Sequence, residues 1–201
     1  MNKDKEKATG DIMSLNIKDA RALYVKHGKE FYADAQHLFD FFKKSKCNEG
    51  LANDNYLHAL GLTELMFGNI QRSLKMLAGS GADSFIETLS NTFKTMLTRI
   101  RSNFGKAQII VAGPNKPVGL SVLEDEYKDV LEVISAQPKK AEIGHFIVGD
   151  SLIVREEEPH KVLSESDPAD IIRATVYLNN PVRAKTIEEH FDSIWNFLKT
   201  R

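Results

Sequence analysis

His145 and Asp150 stand five positions apart in AEIGHFIVGDSLIVREEE (residues 141–158), the one stretch where a polar constellation sits inside a strongly β-forming run. An imidazole can attack an electrophile or relay a proton, and nearby charges can balance the transition state. Arg155 and Glu156 follow in the same stretch, where an arginine–carboxylate clamp could hold a ligand. Each also has a structural reading. Asp150 can cap a turn after Gly149, and His145 can hydrogen-bond inside a sheet. Arg155 beside Glu156, Glu157 and Glu158 can be a solvated charge run.

These residues need strands around them, and the C-terminal half supplies the pattern. AQIIVA (107–112) reads as a short buried strand closed by Gly113-Pro114. Ser121 and Glu124 form a capping box for a helix with Val122, Tyr127, Val130, Leu131 and Ile134 inward, stopped by Pro138. A strand over 143–148 then completes a β-α-β unit, expected to be parallel and right-handed. Gly149-Asp150 turns the chain, and 152–156 pairs back antiparallel. Residues 157–170 are acidic, carry Pro159 and Pro168, and read as a surface loop. A strand over 171–178 follows, and Asn180-Pro181 opens a closing amphipathic helix through Ala184, Ile187, Phe191, Ile194, Trp195 and Leu198. Asn179 and Asn180 serve as turn and cap residues, with Asn179 also a ligand candidate. The loop GPNKPVG (113–119) is not a phosphate loop, because Leu120 stands where the lysine is needed.

The N-terminal half reads as helices. Asn16 caps a helix running to about Lys46, with Ala20, Leu23, His27, Phe31, Ala35, Leu38 and Phe42 on one face. Phe39 and Phe41 fall off that face, which suggests an interaction surface. A second helix is expected from about Asp54 through Tyr56, Leu60, Thr63, Phe67, Ile70, Leu74 and Leu77, ending in AGSG (78–81). Gly61 and Gly68 inside it suggest close approach of another backbone. A third is expected from a Ser84/Glu87 capping box through Phe85, Leu89, Phe93, Leu97, Ile100 and Phe104, with Gly105 just past its end. The division is a polar tail (1–15), a helical hairpin (16–81) and an α/β domain (82–201).

From about residue 84 to 200, the order helix, strand, helix, strand-turn-strand, strand, helix resembles one half-domain of the phospholipase D-like superfamily. The ending TVYLNNPVRAKTIEEHFDSIW is similar to that family's closing strand, Asn-Asn-Pro and helix. The resemblance implies an α/β fold with a mixed sheet. It also implies a site where His-x-Lys, followed four residues later by Asp, would form a covalent phosphohistidine, with two such motifs meeting in one centre. Matching Asp150 to the family aspartate puts Ile143 at the nucleophile and His145 at the lysine. Matching His145 to the nucleophile puts Ile147 at the lysine and Leu152 at the aspartate. Either way an aliphatic residue replaces an essential group. The first match resembles degenerate members reading HF-x-V-x-D and then Arg-x-Glu, here His145, Phe146, Val148, Asp150, Arg155 and Glu156, with one residue fewer between Arg and Glu.

With 27 Lys+Arg, 28 Asp+Glu and a net charge of -1, no overall field attracts nucleic acid or anionic membrane. A local strip of Lys94, Arg99, Arg101 and Lys106 remains as a nucleic-acid candidate. The single Cys47 cannot form an intrachain disulfide or a cysteine metal site, and it suggests a reducing, cytoplasmic setting. No metal site and no cofactor are expected, His27 having no second ligand at metal spacing. No signal peptide and no spanning helix are expected either. The leading expectation is a non-catalytic phospholipase D-like binding, regulatory or scaffold protein. It would act in a homodimer or larger bacterial-type assembly, through protein contacts of the N-terminal helices. The alternatives are a dimeric phosphodiesterase or nuclease with His145 as nucleophile, and a nucleic-acid-binding module without chemistry.

Overall fold

A computed structural model describes residues 15–79, 82–137, 144–161 and 163–200. Its elements in chain order are α1 (Ile17–Ser45), β1 (Gly50–Asn53), α2 (Tyr56–Asn69), β2 (Ser73–Gly79), α3 (Ala82–Thr88), α4 (Ser90–Ser102) and β3 (Lys106–Ala112). They continue with α5 (Val118–Glu126), β4 (Leu131–Ala136), β5 (Phe146–Gly149), β6 (Ile153–Glu157), β7 (Ala174–Tyr177) and α6 (Pro181–Lys199). The seven strands form one mixed sheet ordered β1-β7-β6-β5-β2-β3-β4. The pairs β2–β3 and β3–β4 are parallel, and all others are antiparallel.

The sheet lies between two layers. On one face Met76, Ile109, Val133, Ile147, Ile153 and Val176 share a core with α1, α2, α4 and α5. On the other, Leu77, Ile110, Phe146, Val148 and Val154 pack against Ala184, Phe191 and Trp195 of α6. Helix α2 is buried on nearly every side, from Tyr56 and Leu57 to Met66 and Phe67, as a helix apolar all round must be. It is therefore a core helix wedged between α1 and the sheet.

Several elements differ from the sequence reading. The second helix stops at Asn69, and Leu74 and Leu77 belong to β2, a central strand buried on both faces. Arg99 caps this end, donating to the carbonyls of Phe67 (3.2 Å) and Ile70 (2.7 Å) and satisfying helix-end acceptors from a distant segment. The third helix breaks at Leu89 into α3 and α4. At its end Phe104, not Gly105, takes the left-handed conformation (φ 54°). Gly105 is needed for space instead, since a Cβ there would sit 1.8 Å from the Arg72 carbonyl oxygen. The expected helix through Ile134 ends at Glu126, and Leu131 and Ile134 lie in β4. The parallel unit is thus β3-α5-β4, whereas β5 runs antiparallel beside β2. Phe39 is buried (3% exposed) and Leu38 half-exposed, the reverse of the expected α1 faces, while Phe41 is exposed as expected. Gly68 faces the Tyr32 hydroxyl rather than another backbone. The polar tail before Leu15, the end of AGSG, the Ser84 cap and Pro138 lie outside the described residues or side chains.

The strand-turn-strand over β5 and β6, the strand before Asn180 and the closing helix stand where expected. Asn180 caps α6 by accepting from the Arg183 N–H (3.0 Å), with Pro181 in its first turn.

Candidate functional site: a buried histidine–carboxylate cluster

The stretch around β5 has two functionally different ends. Five residues of extended chain span about 16 Å, and they separate His145 before the strand from Asp150 after it. Asp150 takes a positive φ of 53°. Its carboxylate accepts from the backbone N–H groups of Gln71 (2.7 Å), Arg72 (2.7 Å) and Ser73 (2.9 Å), and so binds the turn between α2 and β2. Asn179 lies at this same end, one residue before Asn180, whose N–H donates to the Leu152 carbonyl. Glu156 sits on the opposite face from Glu157, ion-paired to Arg183, and it lines a cleft with Asp54, Glu158, Asp170 and Arg173. Among the expected site residues, only His145 and Arg155 come together.

They do so around Glu157. In β6, residues 153, 155 and 157 alternate onto the face that packs against α1 and α2. The Glu157 N–H donates to the His145 carbonyl (2.8 Å), which aligns the two side chains across the ladder. Arg155, 4% exposed, pairs its guanidinium with Glu157 Oε2. His160 curls back after Pro159, donating from Nε2 to Glu157 Oε1 (2.5 Å) and from Nδ1 to the Lys161 carbonyl (2.6 Å). Both of its ring nitrogens face acceptor oxygens, an arrangement that favours the protonated ring. His145 Nδ1 stands 3.7 Å from Glu157 Oε1, beyond a hydrogen bond but within ion-pair range. The two imidazoles meet edge to face, with centroids 4.8 Å apart.

Burial alone would raise the Glu157 carboxyl. The Arg155 charge and the two histidines outweigh it and hold the group well below the usual carboxylate range. The hydrogen bond to Glu157 raises His160 above an ordinary imidazole, against the opposing effect of burial. Gly79, at the end of β2, lies under the His145 ring, where a Cβ would come 2.9 Å from Cε1. Asn53 belongs to the same cross-strand row, paired through Ala174 to Glu157. It is fully buried, and neither atom of its amide has a partner among the described residues.

Sequence reasoning missed Glu157 and His160. Glu157 looked like one member of a charge run, and His160 lay in an expected loop. Alternation along β6 was the available signal, since it puts Glu157 on the same side as buried Arg155. Donors at 145, 157 and 160 match no ligand spacing read from sequence, yet their ligand atoms lie within 4.8 Å of one another. Ile143, matched to the family nucleophile, lies outside the described residues.

The four residues of the basic strip each make a local contact. Lys94 pairs with Glu126 and Arg101 with Asp129, Lys106 donates to the Asp129 carbonyl, and Arg99 caps α2.

No family model and no curated protein matches this chain. Solved structures do. TrmBL2, an archaeal chromatin protein whose structure shows a novel mode of DNA binding, is 12% identical with a TM-score of 0.53, over 87% of this chain and 64% of that one. This chain thus spans less than two thirds of TrmBL2. NucT from Helicobacter pylori is 13% identical with a TM-score of 0.52, over 74% of this chain and 97% of that one. Nuc from Salmonella typhimurium, a phospholipase D family member, is 16% identical with a TM-score of 0.49, over 74% and 95%. The mixed α/β fold is thus shared with TrmBL2 and NucT. Among the described residues, no helix is long and apolar enough to cross a membrane.

Proposed function

We propose that this chain is a non-catalytic phospholipase D-like module, acting by binding within a homodimer or larger assembly. The observation that carries the reading is the internal closure of the pocket's charges. Phosphoryl transfer needs a free imidazole to attack and cations aimed at the equatorial oxygens. Here the Arg155 guanidinium is paired with Glu157, and both ring nitrogens of His160 are engaged, which leaves His145 without a neighbouring cation free to balance a phosphoryl oxygen. The exposed Val25, Leu38 and Phe41 of α1 support contacts through the N-terminal helices. Cys47, a free thiol, supports a reducing, cytoplasmic setting.

The test is incubation of the purified protein with a generic phosphodiester and with single- and double-stranded DNA. No turnover is expected. Turnover abolished by His145→Ala would replace this reading with the dimeric phosphodiesterase one. The DNA-binding fold neighbour motivates a second measurement, of DNA affinity against salt. Tight low-salt binding that weakens steeply with salt would favour a nucleic-acid module instead.

A further inference from the structure

We propose that His145, Glu157 and His160 form a binding site for a divalent first-row metal ion of the zinc class. The inference is independent of the non-catalytic reading, which concerns phosphodiester chemistry. Among the described residues, these three form the one group of His, Cys, Asp or Glu donors that could share an ion. Two imidazoles and a carboxylate suit zinc and its first-row neighbours, whereas magnesium and calcium prefer all-oxygen sets.

The atoms that would not touch the ion are already held. The Nδ1–H of His160 donates to the Lys161 carbonyl at 2.6 Å, the outer contact typical of a metal-bound imidazole, and it directs Nε2 inward. Arg155 holds Glu157 Oε2, which leaves Oε1 facing both rings. Tetrahedral ligands about 2.0–2.1 Å from an ion stand roughly 3.4 Å from one another. His145 Nδ1 and Glu157 Oε1, at 3.7 Å, are near that spacing. The shorter His160–Glu157 contact of 2.5 Å is held by a proton, which the ion would displace.

The surroundings fit as well. The three side chains are 8–16% exposed, so the site is sheltered but reachable. Gly79 supplies the clearance for the His145 ring. Asn53, buried in the same cross-strand row with both amide atoms unpartnered, offers polar groups to whatever occupies that row. Three protein ligands leave a coordination position for water or an anionic ligand. The Arg155 charge opposes the ion, so affinity should be on the order of micromolar rather than that of a closed structural site.

The experiment uses the full chain, stripped with chelator, titrated with Zn2+ by calorimetry and with Co2+ by visible absorption. Wild type and the exposed-histidine control His37→Ala should bind one equivalent and show cobalt ligand-field bands. His145→Ala and His160→Ala should each lose more than the roughly 10–100-fold that outer-contact changes alone produce. Glu157→Gln should do the same. If it fails to fold, the two histidine variants, checked by circular dichroism, still decide the matter. Absence of binding, or binding unchanged in the histidine variants, would overturn the proposal and leave the phosphodiester result untouched.

Discussion

Removing the Asp150 carboxylate should destabilise the protein without touching the histidine cluster. Its oxygens accept from three successive backbone N–H groups, of which the one at Ser73 is partly buried. A hydrogen bond to a charged acceptor contributes about 1.5–3 kcal/mol, and exposed donors recover part of that from water. Counting the Ser73 bond near full value and the other two at a fraction gives about 2–4 kcal/mol for Asp150→Ala. Alanine also fits the positive φ of 53° less well than Asp does. Asp150→Asn keeps an oxygen and tolerates that backbone, so it should lose about half as much.

Against a total stability of about 5–15 kcal/mol, such losses are measurable by urea denaturation. In thermal melts, about 2–4 °C per kcal/mol is expected for a chain of this size. Zn2+ titration of both variants should match wild type. If Asp150→Ala unfolds within about 0.5 kcal/mol of wild type, or if Ala and Asn cost the same, the carboxylate is not bracing the turn. A selective loss of metal binding would instead tie it to the other end of β5.

Three further outcomes follow from the packing. Glu157→Gln strands the 4%-exposed Arg155 without its counter-charge and should cost about 3–5 kcal/mol, whereas Arg155→Met with Glu157→Met should recover most of it in urea melts. Gly105→Ala forces a methyl to within 1.8 Å of the Arg72 carbonyl oxygen and should cost more than about 2 kcal/mol, read the same way. The Arg101 hydrogen bond holds the Asp129 carboxyl below its ordinary 3.8. A lowered carboxyl stabilises the fold above its unfolded value and loses that contribution as pH falls through the folded one. The Arg101→Ala penalty should therefore be present at neutral pH and shrink below about pH 3.8, checked by melts across an acid series.

What sequence could and could not show divides along local and distant causes. The β5–turn–β6 hairpin and the α6 start were legible, because Gly149-Asp150 and Asn180-Pro181 fix their own backbone. Helix α1 was equally legible at its start, where Asn16 accepts from the Asp19 N–H (2.8 Å). The α2–β2 boundary was not. Leu74 and Leu77 continue the α2 spacing, and a strand buried on both faces carries no alternation to contradict it. The side chain that caps the helix end is Arg99, twenty-nine residues from Ile70. The same holds for β4, where Glu124 reaches out of α5 to accept from the Val133 N–H (2.7 Å). His160 entered the site only through Glu157, whose orientation depends on strand register rather than on neighbours in sequence.

That register also explains why one motif supports two roles. A β-strand puts alternate residues on opposite faces, so Glu156 and Glu157 part company: one meets Arg183 outside, the other Arg155 within. Asp150 and His145, five apart and at opposite ends of β5, cannot act on one atom. The aspartate braces the turn into β2, and β2 in turn delivers Gly79 beneath the His145 ring. The aspartate of the HF-x-V-x-D likeness thus serves here as a brace for the α2–β2 turn. The cluster at the other end of β5 is completed by a carboxylate and a histidine beyond the motif, Glu157 and His160.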